Sequence, residues 1–247
     1  GPWNHGQWGR GDGGALDQIN FKSPAGRYFR EKIQAPFFAF YLKDKGTLPV
    51  GEATVFESGA NAWRTYTSWP PKDAATRSLY LHPEEKLSFD PPRNGAALTS
   101  YVSDPDHPVP YRPRPIQPTY CPCGSNWYTW LVADQRFVDG RPDVATWVGD
   151  PLAADVVVAG NVTAHLQAST TGGDADWVVK LIDVYPDSVP GDVKMGGYEL
   201  MVSSDIMRGR YRRSFERPEP IAPNAVLEYT VDLHQQAYRF LKGHRMM

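Results

Sequence analysis

Prolines and glycines, 23 and 22 of them among 247 residues, cut this chain into short runs suited to strands joined by turns rather than to long helices. Beyond residue 49, apolar or alternating stretches recur at 53–58, 62–69, 78–82, 96–102, 144–148, 155–158, 162–169, 177–185, 198–203, 226–233 and 238–247, with turn residues between them. Such a series predicts an antiparallel two-sheet sandwich of jelly-roll type. Residues 177–185 are apolar at most positions on both faces, which predicts a central strand. Residues 103–125 carry Pro105, Pro108, Pro110, Pro113, Pro115, Pro118 and Pro122, so an ordered cover segment is expected there. A short helix is expected over 127–137.

The first 48 residues have a different character. Gly6, Gly9, Gly11, Gly13 and Gly14 mark residues 1–22 as loop. Ser23 and Pro24 read as the N-cap and first position of a helix. Phe29, Ile33, Phe37 and Tyr41 then recur every four residues as one apolar stripe. Pro36 removes a backbone donor and should kink or split that helix. Lys43, Lys45 and Gly46 should close it. One amphipathic helix with a glycine-rich leader cannot bury a core by itself, so it is expected to dock on something outside this chain.

Composition narrows the partners. A 41% hydrophobic, 13% aromatic chain fits a globular protein and does not fit disorder. A formal net charge of −2 gives no electrostatic reason to expect nucleic acid or an anionic membrane. No apolar run is long enough for a membrane-spanning helix. If 208–212 is extended, Arg208, Arg210 and Arg212 share one face, to be solvated or paired with nearby acids. Cys121 and Cys123 are too close in sequence for an unstrained mutual disulfide. They could supply two metal ligands, but no second Cys or His pair follows at finger-like spacing, and no metal site is expected. The chain opens without Met and stops at Met247 with no tail signal, so both ends are expected to be cut.

Among chemistry-bearing residues, His5 stands out, because it lies in a Gly-bounded, Trp-flanked turn between Trp3 and Trp8. A rigid backbone with a mobile imidazole suits a general base, since imidazole can take and return a proton near neutral pH. The bland alternative is an ordinary turn histidine. Asp174 and Asp176 could bind Ca²⁺ or act as an acid and base, with a solvated turn the simpler reading. Asp104, Asp106 and His107 read as a structural loop, and His165 and His234 as hydrogen-bonded, partly buried strand residues. Trp3, Trp8, Trp63, Trp69, Trp127 and Trp130 could include a sugar platform, with core or interdomain packing preferred.

The run Gly1-Pro2-Trp3-Asn4-His5-Gly6 resembles the catalytic-histidine turn of the serine hydrolases that include α-amino-acid ester hydrolases, glutaryl-cephalosporin acylases, cocaine esterase and X-Pro dipeptidyl-peptidases. Residues 56–64, 136–144, 150–152, 168–170, 180–184, 208–212 and 243–245 resemble successive segments of the C-terminal part of those enzymes, in order. Asn4-His5-Gly6-Gln7, Trp63-Arg64 and the 135–143 stretch look most similar to the α-amino-acid ester hydrolase branch. The fold this resemblance implies is mainly β: a C-terminal jelly-roll (galactose-binding-like) β-sandwich at 49–247, preceded at 1–48 by the last loop and helix of an α/β-hydrolase domain. It implies a Ser-His-Asp triad in which His5 is the histidine, with the serine and aspartate on a missing N-terminal hydrolase domain. No Gly-x-Ser-x-Gly occurs here, so the chain alone is expected to be inactive.

The expected reaction is cleavage or transfer of the acyl group of α-amino-acid esters and β-lactam amides. Dipeptidyl-peptidase or other acyl-ester hydrolysis is the alternative within the family. A stand-alone carbohydrate-binding module is the alternative of another class, and the unpartnered stripe at 29–41 argues against it. The resemblance calls for no cofactor and no metal. It implies a small-molecule ester or amide substrate, a homo-oligomer when intact, and a periplasmic or secreted location.

Overall fold

The computed structural model describes residues 1–247 except 49, 94–97, 117 and 122–123. Its leader forms a minimal hairpin, β1 (Ala15–Leu16) and β2 (Ile19–Asn20), followed by α1 (Ala25–Tyr28), a π-helical stretch (Phe29–Gln34) and α2 (Ala35–Lys43). A hairpin of β3 (Ala53–Glu57) and β4 (Ala62–Tyr66) comes next, then the short strands β5 (Tyr80–Leu81), β6 (Lys86–Ser88), β7 (Tyr120–Cys121) and β8 (Gly124–Ser125), and helix α3 (Trp127–Leu131). The remaining strands are β9 (Val148–Gly149), β10 (Val156–Ala168), β11 (Asp176–Val184), β12 (Glu199–Arg208), β13 (Leu227–Phe240) and β14 (Arg245–Met246).

Two sheets carry the sandwich. One is the antiparallel pair β10–β13, and the other is β12-β11-β14 with β11 in the middle, the central place its apolar composition predicts. Between them lie Ile182, Leu200, Tyr229, Val231, Leu233, Tyr238, Phe240 and Met246, all buried. Each such side chain contributes roughly 1.5–3 kcal/mol by leaving water.

The sequence runs 155–158 and 162–169 form one strand, and so do 226–233 and 238–240. The apparent breaks are a glycine and a bulge. Gly160 has φ 129°, and a Cβ there would meet the Pro70 ring at 2.9 Å, so a loop from beyond β4 crosses close to the backbone. On β13 an extra residue lies opposite Val162, with His234 at φ 62°. Side chains alternate with period two, so one inserted residue switches which parity faces inward. Tyr229, Val231 and Leu233 are buried before the bulge, and Tyr238 and Phe240 after it.

Other local expectations change. Strand β12 ends at Arg208, and Gly209–Tyr211 is a 3₁₀ turn, so the arginines do not share an extended face. Residues 98–102 form no strand, and 96–97 lie outside the described residues. The helix expected over 127–137 divides into α3 and a 3₁₀ turn, Gln135–Phe137. Of 144–148, only Val148 joins a strand, and of 78–82 only Tyr80 and Leu81 do.

Buried polar groups are paired where they join distant segments. Asp183 accepts from Tyr238 Oη at 2.7 Å and lies 2.9 Å from His244 Nδ1, which fixes the last turn against β11. Glu57 receives Arg239 Nε at 2.8 Å, tying the β3–β4 hairpin to β13. Lys180 Nζ donates to Gln135 Oε1 at 2.7 Å and sits 5.9 Å from the Tyr111 ring centroid, pinning the proline-rich segment to β11.

The leader helix is not capped by the Ser23 side chain. The carbonyl of Asp12 accepts from Gly26 N at 2.8 Å and Arg27 N at 3.1 Å instead, so the loop itself satisfies the orphan donors. That approach needs Gly13 (φ 68°), where a Cβ would come within 2.6 Å of Gly26 N. The π-helical stretch lies immediately before Pro36 and accommodates its missing donor without a break. Arg30 in that stretch donates to the Trp8 carbonyl, and at 2.7 Å to the Gly11 carbonyl. Arg30→Ala removes this clamp and should make the 8–14 loop cleave several-fold faster in limited proteolysis, with the sandwich intact. An unchanged cleavage rate would show that the clamp is not needed.

Glu199 differs from the paired acids: it is only 5% exposed, and its Oε2 has no hydrogen-bond partner among the described residues. Burial, then Asp139 and Asp134, push its carboxyl up to about 7. A carboxyl raised by folding favours the folded state most when protonated, so its contribution is lost as pH rises from the ordinary carboxylate range through about 7. Glu199→Gln should therefore raise the urea midpoint relative to the parent at pH 8, with the gain shrinking toward pH 5. An equal shift at both pH values would contradict this.

Candidate functional site

His5 lies at the apex of a turn built by its neighbours. Gln7 N donates to the Asn4 carbonyl at 3.1 Å, and Gly9 N to the Gly6 carbonyl at 3.2 Å. Gly6 takes φ 76°, a left-handed conformation that glycine adopts without strain. The Gln7 side chain bridges the turn to the rest of the leader: Oε1 accepts from Asn4 N, and Nε2 donates to the Ala15 carbonyl, each at 3.0 Å. The backbone on both sides of His5 is thus held while its side chain stays exposed. The Trp8 ring stands edge-on to the imidazole, with centroids 6.3 Å apart. Among the described residues, none is hydrogen-bonded to that imidazole.

Behind the turn, rings pack in series. Trp3 meets Phe29 at 5.2 Å, Trp63 at 5.9 Å and Trp8 at 6.3 Å between centroids. Trp63, on β4, also stacks on Tyr28 (5.8 Å, 15°) and Phe29 (6.1 Å, 21°), and meets Phe56 edge-on at 5.6 Å. Phe56 in turn meets Phe21 at 5.5 Å. Turn, helix and hairpin therefore share one aromatic cluster, which is the packing expected of Trp3, Trp8 and Trp63. The helix keeps an outward face: Phe37, Phe38, Tyr41 and Leu42 are exposed, the last by 74%. A hollow of about 380 Å³ beside it is lined by Phe29, Ile33, Phe37, Phe38 and Val50.

The other candidates stand apart from His5 and are engaged locally. Arg210 Nε reaches Asp174, and Arg208 Nε reaches Asp176 Oδ1 at 2.9 Å. Asp104 Oδ2 is 2.8 Å from His107 Nδ1, and Asp104 Oδ1 accepts from Asp106 N at 2.9 Å, within one loop. His165 and His234 are exposed rather than partly buried. His165 lies 3.4 Å from Thr230 Oγ1, and His234 Nε2 lies 2.7 Å from Asp205 Oδ2. Trp69 Nε1 donates to Gln235 Oε1 at 2.7 Å, and Trp127 and Trp130 pack at 5.1 Å. Cys123 and the Cys121 side chain lie outside what is described.

Gln7, Arg30, Tyr28 and Phe56 escaped the sequence reading as site-building residues. Arg30 reaches back to Trp8 and Gly11, Tyr28 reaches forward to Trp63 and Phe56 back to Phe21, all remote in sequence, and the local signal at Gln7 is only a polar residue three positions after Asn4.

A family model described as the X-Pro dipeptidyl-peptidase C-terminal non-catalytic domain matches residues 43–247. The chain is similar over 99% of its length to the crystal structure of an aminopeptidase from a marine sediment archaeon (Thaumarchaeota archaeon), with 46% identity, a TM-score of 0.92 and 40% of that chain covered. It is similar to the structure of an α-amino acid ester hydrolase at 44% identity and a TM-score of 0.90, with 99% of this chain and 40% of the other covered. Cocaine esterase from Rhodococcus sp. (strain MB1 Bresler) is 28% identical over 216 residues, which are 85% of this chain and 36% of the esterase. The chain spans about two fifths of the length of these relatives. It belongs to the X-Pro dipeptidyl-peptidase C-terminal domain family, the C-terminal β domain of the hydrolases that include α-amino acid ester hydrolase and cocaine esterase.

Proposed function

We propose that this chain is the C-terminal part of a serine hydrolase that cleaves or transfers α-aminoacyl groups, and that His5 is its general base. The observation that carries this reading is the exposed imidazole on a turn held from both sides. A base must be fixed at its backbone and open at its ring. The names of the two relatives above 40% identity, an aminopeptidase and an α-amino acid ester hydrolase, share an acyl group with a free α-amine.

In this reading residues 1–48 complete a hydrolase domain and 49–247 form the jelly-roll domain. A serine of the preceding domain gives its proton to His5 as its oxygen attacks the ester or amide carbonyl. His5 returns that proton to the departing alcohol or amine, leaving an acyl-enzyme. It next takes a proton from water, which hydrolyses the acyl-enzyme, or from an amine such as a β-lactam nucleus, which accepts the acyl group. The aspartate that orients the imidazole comes from the same preceding domain. The outward apolar side chains Phe37, Phe38, Tyr41 and Leu42 are the surface on which that domain rests, since an apolar patch of this kind is otherwise exposed to water.

The test uses the full-length protein with an α-amino-acid methyl ester and an aminoacyl anilide. His5→Ala should lower kcat by about 10⁴-fold or more, as loss of a triad member does, with KM changed little. Turnover within tenfold of the parent would remove His5 from the mechanism.

A further inference from the structure

We infer that Trp63, a residue of the jelly-roll hairpin, is a positioning residue for the base, holding the His5 turn through Trp3. The inference rests on the reading of His5 given above.

Trp63 faces Trp3 on the turn, Tyr28 and Phe29 on the helix, and Phe56 opposite it across the hairpin. Trp63 is the hairpin's member of this cluster that meets both the turn, at Trp3, and the helix, at Tyr28 and Phe29. Its hairpin is in turn fixed to the long strand of the sandwich. Ser58 N donates to the Ala237 carbonyl at 3.1 Å, and Arg239 N to the Ser58 carbonyl at 2.8 Å. Gly59, at φ 86°, brings the hairpin turn so near β13 that a Cβ would stand 2.0 Å from the Arg239 carbonyl oxygen. A rigid path therefore runs from β13 through Ser58 and Gly59 to Trp63, Trp3 and the backbone two residues before His5.

The remaining restraints on the turn are local. Gln7 ties it to β1, and Arg30 ties Trp8 to the helix, but both belong to the leader itself. The contact of Trp3 with Trp63 joins the turn directly to the β3–β4 hairpin. A base displaced by about 1 Å can lose on the order of 10²-fold in rate without any loss of chemistry. The indole supplies the volume and the flat face that keep Trp3 from settling inward, and phenylalanine preserves most of that contact.

The experiment is steady-state kinetics of the full-length enzyme on the α-amino-acid ester. Trp63→Ala should lower kcat by about 10- to 100-fold with KM within about threefold, and Trp63→Phe should restore most of the loss. Folding is checked by thermal unfolding and circular dichroism. If Trp63→Ala does not fold, Trp63→Leu, Trp3→Leu and the double variant carry the same test. Losses in kcat that fail to add would support coupling through one contact. Losses that add, or a folded Trp63→Ala enzyme with unchanged kcat, would overturn the inference. A His5→Ala enzyme that keeps its turnover instead fails the reading of the base. An inactive His5→Ala enzyme beside a fully active Trp63→Ala enzyme fails the positioning role alone.

Discussion

The leader has too little apolar surface to fold by itself, and the structure follows from where that surface is shared. A helix of about five turns and a glycine-rich loop can bury one face only if another element supplies the opposing wall. Here the wall is the β3–β4 hairpin, and the contact is aromatic. Flat rings pack at 5–6 Å in tilted, stacked and edge-on pairs, and each buries a large area at a small entropy cost. Because Trp63 packs on turn and helix from the hairpin, the His5 turn and the β domain form one packed unit even though the turn lies at the opposite end of the chain from the central strands.

The sandwich solves a different problem, the alignment of two long strands. β10 and β13 pair over most of their lengths, and one extra residue changes the facing parity between their two halves. The surface ion pairs Arg208–Asp176, between β12 and β11, and His234–Asp205, between the β13 bulge and β12, are partly open to water and contribute little to stability. The buried pairs matter more for geometry. Asp183 cannot remain in the core without the Tyr238 hydroxyl and the His244 ring, so the loop after β13 has one place to sit.

In the proposed reading the chemistry is divided in the same manner. A proton carrier on a pinned turn needs a nucleophile and an orienting acid, and neither is hydrogen-bonded to His5 within the described residues. The outward ring face of the helix and the open imidazole lie on the leader together, which is consistent with one neighbouring domain meeting both. In the proposed reading, that domain brings the reacting serine, while the β domain supplies rigidity from behind.

Local pattern determined much of this in advance. The strand-rich character beyond residue 49, the four-residue apolar spacing of Phe29, Ile33, Phe37 and Tyr41, and the singular setting of His5 are all written in adjacent residues. The motif order led to the family that the comparisons support. Tertiary structure decided the rest: that the separated runs on β10 and β13 are continuous strands, that the Asp12 carbonyl rather than Ser23 caps the helix, and that Trp63 packs on both the turn and the helix. A bulge becomes visible only against its partner strand, and a backbone cap from twelve or more residues away has no sequence signature. Ring packing between residues 3 and 63 depends on chain paths that no local periodicity encodes.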